Sequence, residues 1–589
     1  MSHPIALLVH VTHEAGVKVG GIGAVLDGLL AASEYNAGVE RSILIGPFNR
    51  DNPAEVERLL SPRNRLRLRY ASSLGIDLLP ASLGDRFREI EAAYRVSIFY
   101  GARTFGDMDH EVLLLDVADI DTEQVAAFKY FLWQHFGLDC ARYESDPEFR
   151  LFLHLAEPAY AALYHLAVAT WGQRVILAHE WMGRPLALAA IMKDPELWRT
   201  FFYAHEVATA RLLVEGHPGH DTRFYNAMRL ALEQDRQLEE VFGDQSHYFK
   251  HALLKTAAHC DGILAVGDLV LEELRFLGEG FREKPIDLVY NGIPAAPLSL
   301  EARKRSKTLL QQYASNLFGF APDYVFSHVT RFVTSKAIWR DLRVLEHLDK
   351  RLAQEGRKAV LFILSSAEPA GRPPRAVYEW EERYGWPLTH RAGNGDLLGH
   401  EVPFYHDSLL PFNERSRSIK AVLVNQFGWS RERCGRRMPE QMSFADLRQG
   451  TDLEFGQSIY EPFGIAQVEP LGFGALCVVS NVCGCVGFVR RATDDLEEFP
   501  NLIVADYVTP PPDWVFATPA DALRLDQYGR DLIEIRNSRQ VADSLYRRLP
   551  RNEADMLRYL ELGQQAAAKM SWDVVARDYL LPALHRNLS

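Results

Sequence analysis

The chain has 589 residues, of which 47% are hydrophobic and 24% charged, with 40 Gly and 30 Pro. That length is too great for one core, and the composition predicts a globular protein of at most about three to four units. The formal net charge of -13 argues against a general nucleic-acid partner or an anionic-membrane partner, so any phosphorylated ligand must be met by locally gathered Lys and Arg.

No apolar run approaches about 18 residues, so no membrane span is expected. The first residues, MSHPIALLVHV, lack a basic n-region and are read as a first strand rather than a signal peptide. The six cysteines are scattered, which fits a reduced, cytoplasmic protein. Cys483-Gly484-Cys485 has no second Cys/His pair at zinc spacing. It is read as a tight backbone turn, and no metal is assigned.

Residues 5–11 form a near-continuous apolar strand of the kind covered on both faces. The loop KVGGIG follows, and then a helix with Val25, Leu26, Leu29 and Leu30 on one face. A strand, a glycine-rich turn and a helix start make an anion site, with free N–H groups pointing outward. Further strands are predicted at 42–45, 95–100 and 112–115, and a long amphipathic helix at 148–170. Residues 175–178 deliver His179-Glu180 at a strand end, and residues 201–204 deliver His205-Glu206. Two such ends on one sheet edge form a polar rim. A strand running into Asn291-Gly292 closes the first half.

The second half opens with a strand at 325–330, followed by Arg331 and Lys336. Two cations between a strand end and a helix start suit a leaving diphosphate. Another buried strand is predicted over Ala359–Ser365. The stretch 366–450 is rich in Pro, Arg and aromatics and reads as an insertion with its own helices.

Next comes DLEFGQSIYEPFGIAQVEPLGFG, residues 452–474, around which the chain is organised. Pro462 and Gly464 put Glu461 in a turn. From Ile465 the pattern is helical, with Glu469 expected in the second helical turn, and residues 475–480 form a buried strand. Both glutamates are expected to face the crevice beyond the strand ends. Taken alone they equally suit a helix-dipole partner and an exposed helix charge. A further glycine-rich turn at 481–487 precedes another helix, and Trp572 opens a C-terminal helix.

The 452–474 stretch resembles the E-x7-E signature of retaining glycosyltransferases of the two-Rossmann-domain GT-B fold, at the spacing seen in glycogen and starch synthases. KVGGIG resembles the K-x-G-G loop of those enzymes, with Glu14 four residues ahead of Lys18. AHEW resembles their H-[DE]-W motif, and Arg331 with Lys336 their R-x4-K pair. Ala337 stands where bacterial members usually carry Gly, and Pro294 departs from the N-G-[IL]-[DN] crossing signature. The strings AHEVATARLL, FYNAM, HYFKHALLKTAAHCDGILAVGDLVLEEL and SFADLRQGTDLEFGQSIYEPFG resemble the eukaryotic type of glycogen synthase.

The resemblance implies an α/β GT-B fold: two doubly wound Rossmann-like domains facing a cleft. They would span 1–294 (acceptor side) and 295–570 (nucleotide sugar), with a helix at 571–589 crossing back to the first. It implies a retaining hexosyltransferase moving glucose from UDP-glucose or ADP-glucose to the non-reducing end of an α-1,4-glucan. Glu461, His205, Arg331 and Lys336 would be catalytic. Glu14, Lys18, Gly20, Gly21, His179, Glu180, Gly464, Glu469 and Gly484 would line the substrates. The partners would be the donor and a sugar acceptor, with no cofactor, no nucleic acid and no membrane; a homo-oligomer is compatible. A small-acceptor transferase and a catalytically silent glucan-binding scaffold remain alternatives. A glycosidase carboxylate pair fits less well beside these cations, and no pyridoxal-phosphate lysine motif supports phosphorolysis.

Overall fold

A computed structural model describes residues 4–366, 376–394, 396–493, 496 and 498–586. The chain divides into two compact units. Unit 1 holds residues 1–210, 231–292 and 572–589, and unit 2 holds 211–230 and 293–571.

Unit 1 is built on a ten-stranded sheet of β1 (Leu7–Val11), β2 (Ser42–Pro47), β3 (Leu66–Ala71), β4 (Ile76–Asp77), β5 (Ser97–Phe105), β6 (Met108–Asp116), β7 (Arg174–His179), β8 (Arg199–Ala204), β9 (Gly262–Ala265) and β10 (Ile286–Leu288). The spatial order is β10-β9-β8-β7-β1-β2-β6-β5-β3-β4. From β10 to β6 the pairs are parallel, and β6-β5-β3-β4 is an antiparallel flank. The flank is where the doubly wound expectation stops applying, because β5 and β6 are joined by the short turn at Gly106 and must run antiparallel. The long predicted helix is Pro147–Ala167. Asp146 caps it by accepting from the Glu148 and Phe149 amides, and Pro147 sits at its first position.

Unit 2 has a six-stranded parallel sheet of β11 (Tyr324–Thr330), β12 (Ala359–Ser365), β13 (Ile419–Val424), β14 (Leu453–Gly456), β15 (Leu476–Ser480) and β16 (Leu502–Ala505), ordered β13-β12-β11-β14-β15-β16. Alternate residues serve two cores: Phe326, Leu361 and Ile363 pack on one face, and Val325, Val360 and Phe362 on the other. Burial of both faces explains why these strands read as unbroken apolar runs.

Two boundaries differ from the sequence reading. Residues 211–230, assigned by sequence to the first half, group with unit 2. Asp221 there pairs with Arg340 at 2.8 Å, the Thr222 hydroxyl donates to the Tyr507 carbonyl, and Asn226 donates to the Val508 carbonyl. The stretch 366–450 is not wholly an insertion either, since β13 pairs in register along β12. Residues 367–375 of that stretch lie outside the described residues. The segment from Trp572 belongs to unit 1, where the indole fills a notch left by Gly28 and Gly292. A Cβ on Gly28 would come 2.1 Å from the indole, and one on Gly292 2.6 Å.

Candidate functional site

In each sheet the polar residues collect at strand carboxyl ends around the point where strand order reverses, the place where open α/β sheets bind ligands. In unit 2 that point lies between β11 and β14. Arg331 and Lys336 follow β11, Glu461 follows β14, and Gly484 follows β15.

Glu461 is 8% exposed, and its Oε2 lies 2.5 Å from Lys336 Nζ and 3.1 Å from Gln467 Nε2. The 3-10 turn Thr334–Lys336 is tied to the same loop, because the Ile459 amide donates to the Ser335 carbonyl at 2.8 Å. Ala337, just after the lysine, sits at φ +46°, a left-handed conformation that costs a non-glycine residue about 1–2 kcal/mol. Such strain gathers at functional loops. The Arg331 guanidinium is exposed and makes no hydrogen bond or ion pair among the described residues.

The two glycines are required by close approach. Gly464 adopts φ +90°, and a Cβ on Gly484 would lie 1.8 Å from the Pro462 carbonyl. The Gly484 amide donates to the Glu461 carbonyl at 2.9 Å and the Cys485 amide to the Phe463 carbonyl at 2.9 Å. The cysteine pair therefore belongs to a backbone clasp that pins the Glu461 turn, and burial pushes the Cys485 thiol well above its ordinary value. Gly484 acts through Glu461's main chain, with its own amide already used.

Glu469 is not in the second turn of a helix. The α-helix covers only Ile465–Val468, and Glu469 opens the 3-10 helix Glu469–Phe473. Pro470 has no N–H to return to the Ala466 carbonyl. Arg448 supplies that bond instead, and its guanidinium also meets Glu469 at 3.2 Å and Glu454 at 3.0 Å. Glu454 in turn accepts from the Val329 amide and the Ser327 hydroxyl. Sequence reasoning missed Arg448 and Glu454, which carry no periodic signal: Arg448 meets Glu469, and Glu454 meets Arg448, only in the folded unit.

In unit 1 the order reverses between β1 and β7, so the Glu14–Gly21 loop, His179-Glu180 and His205 share one sheet edge. The anion site differs from the expectation. Glu14 is buried, and its Oε2 accepts from the Val19 amide at 2.7 Å and from the Gly20 amide at 2.5 Å. Those N–H groups point inward at an internal carboxylate rather than outward. A carboxylate at the start of helix Gly21–Ala31 is favoured by the same dipole that favours phosphate. Lys18 is half-exposed and pairs with Asp27 at 3.2 Å. Gly20 and Gly21 are exposed at the helix start.

Glu180 sits at φ +58°, and its carboxylate accepts from the His205 and Glu206 amides. Burial, with Glu206 adding like charge, pushes its carboxyl well above the ordinary glutamate value. His179 joins His205 and His10 through its two ring nitrogens, at 2.8 and 2.9 Å. Burial holds all three imidazoles below their ordinary value, His205 at about 3.

Among the described residues no group of three or more His, Cys, Asp or Glu is placed to hold a metal, and no helix is long and apolar enough to cross a membrane.

No family model matches the chain, and no curated protein sequence does. Solved structures do. The catalytic domain of starch synthase IV from Arabidopsis thaliana, bound to ADP and acarbose, gives a TM-score of 0.52 at 14% identity over 100% of both chains. An α,α-trehalose-phosphate synthase (UDP-forming) from Burkholderia xenovorans, in complex with glucose-6-phosphate, gives 0.52 at 11% identity over 99% of each. At such identities the likeness speaks to the fold, which is the α/β GT-B fold with two parallel-dominant Rossmann-like sheets.

Proposed function

We propose that the protein is a retaining glycosyltransferase that moves glucose from UDP-glucose or ADP-glucose to the non-reducing end of an α-1,4-glucan, in the cytoplasm. What carries the proposal is the Lys336–Glu461 pair at the strand ends of unit 2, with the Arg331 guanidinium, exposed and unpaired among the described residues, on the same loop. A nucleotide sugar has an activated anomeric carbon and an anionic leaving group, so catalysis needs preorganised charge aimed at the diphosphate. Arg331 and Lys336 supply it, which is why no divalent ion is invoked. Glu461, held by Lys336 and Gln467, orients the sugar and meets positive charge developing at its anomeric carbon. Glu469, with Oε2 on Arg448, keeps its other oxygen for the ribose. His205 offers a ring nitrogen to a sugar hydroxyl, and Glu14, Lys18, Gly20 and Gly21 serve the substrate side of unit 1.

Support also comes from the motif series and from the ADP and acarbose bound to the starch synthase of like fold. A small-acceptor transferase is the second candidate, because the trehalose-phosphate synthase of like fold holds glucose-6-phosphate. The deciding experiment incubates the protein with UDP-glucose or ADP-glucose, alone, with glycogen and with glucose-6-phosphate, and measures nucleotide release. Release stimulated by glycogen is the expected result. Release only with glucose-6-phosphate moves the assignment to a small acceptor, and none under any condition returns it to a silent scaffold.

A further inference from the structure

One buried hydrogen-bonded chain in unit 1 ends at His205. It runs from Ser42 Oγ to Tyr35 Oη at 2.7 Å, from Tyr35 Oη to His10 Nε2 at 2.8 Å, from His10 Nδ1 to His179 Nε2 at 2.9 Å, and from His179 Nδ1 to His205 Nε2 at 2.8 Å. The His179 and His205 rings are inclined by 6° and the His10 and His179 rings by 28°, with centroids 5.1 and 5.2 Å apart, the spacing of rings bonded nitrogen to nitrogen. Ser42, Tyr35, His10 and His179 are buried, and His205 Nδ1 is a buried ring nitrogen with no partner among the described residues. Neighbouring groups are occupied elsewhere: Tyr203 donates to the Val289 carbonyl, and His110 bonds the Leu30 carbonyl.

Three neutral imidazoles in series allow only two proton orders. A neutral ring donates from one nitrogen and accepts at the other, so each bond fixes the next tautomer. In the first order, Ser42 donates to Tyr35, Tyr35 to His10, His10 to His179 and His179 to His205, leaving an N–H at His205 Nδ1. In the second every donor reverses, and His205 Nδ1 is a bare lone pair. The first order matches the chain's most acidic hydroxyl, the phenol, with a ring nitrogen, a far better base than a serine oxygen. The second makes an imidazole donate to a phenol oxygen and spends the phenol proton on serine.

We propose that Ser42, Tyr35, His10 and His179 are positioning residues that hold the proton of His205 on Nδ1, so that His205 presents a hydrogen-bond donor to an oxygen of its ligand. That the oxygen belongs to a donor sugar rests on the transferase proposal, whereas the proton order does not.

Neutron diffraction from a perdeuterated crystal of the substrate-free protein reads the order directly. Deuterium on Nδ1 of His10, His179 and His205 is expected, and deuterium on His205 Nε2 overturns the proposal. Tyr35→Phe keeps the ring and removes the polarising donor. Deuterium should then appear on His205 Nε2, and turnover with a nucleotide sugar should fall about tenfold with nucleotide-product affinity unchanged. Retention of the Nδ1 order in that variant, or loss of the order with unchanged turnover, overturns the role given to Tyr35. Absence of nucleotide release by the wild-type protein counts against the transferase assignment alone.

Discussion

Lys336 Nζ and Glu461 Oε2 meet at 2.5 Å, although the two residues stand 125 positions apart and reach one another from different strand ends. Both side chains are nearly buried, so neither is an incidental surface charge. Glu461→Gln preserves shape and the Gln467 contact region while removing the charge. Turnover should fall by most of its value, with nucleotide affinity little changed, since Arg331, Lys336 and Glu469 remain. Kinetics and nucleotide binding on that variant check it, and unchanged turnover rejects the catalytic role.

Arg331 provides a cleaner probe than Lys336. Lys336→Ala strands a nearly buried carboxylate and so costs stability as well as activity. Arg331 is exposed and unpaired among the described residues. Arg331→Ala should leave the melting temperature essentially unchanged, as surface substitutions do. Turnover should drop by about 10²–10³, the scale of a lost charge-stabilising donor.

Arg340 is the buried hub of unit 2. It is fully buried, lies 2.8 Å from both Asp221 and Glu534, donates to the Gln457 and Ser458 carbonyls, and stacks on Tyr507 at 4.3 Å. Arg340→Ala should destabilise by about 3–5 kcal/mol, because Asp221 is left buried without its cation, whereas Glu534 keeps Arg343 at 2.9 Å. Denaturant unfolding measures the loss, which is absent if water replaces the guanidinium without penalty.

Gly28 has no room for a side chain beside Trp572. Gly28→Ala should cost about 1–3 kcal/mol by overpacking. Combined with Trp572→Ala, the two costs should fall short of additive, since both act on one contact. Additive costs in unfolding experiments would separate the indole from the notch.

Burial, with neighbouring histidines adding like charge, depresses the values of His10, His179 and His205. In the unfolded chain each takes up a proton near pH 6.5, while the folded protein stays neutral until far lower pH. Stability is therefore full above about pH 6.5 and is lost as pH falls toward the folded values. Each histidine contributes up to about 1.4 kcal/mol per pH unit. Unfolding free energy measured from pH 7.5 to 5 should decline with an uptake of several protons, and a flat profile would contradict the neutral chain.

Much of the sheet framework was legible because its signals are local. A strand covered on both faces must be apolar throughout, so Ala359–Ser365 was read to the residue and the strand before Arg331 to within one. His179-Glu180 and His205 were found as strand-end pairs for the same reason. The Glu461 turn followed from Pro462 and Gly464, whose backbone limits act within a few residues.

What escaped was which polar atoms meet, whether their partners stand near or far in sequence. Glu14 lies four residues from Lys18 in the string, yet only the folded loop turns its carboxylate onto the Val19 and Gly20 amides and fills the expected anion site from within. Pro470 was visible, but that its missing N–H would hand the Ala466 carbonyl to Arg448, and so fix Glu469, needed residues from three elements together. The histidine chain joins positions up to 169 residues apart. Periodicity reports which face of an element is buried; which polar atoms meet there is set by strand order and register, and those are settled by packing across the whole unit.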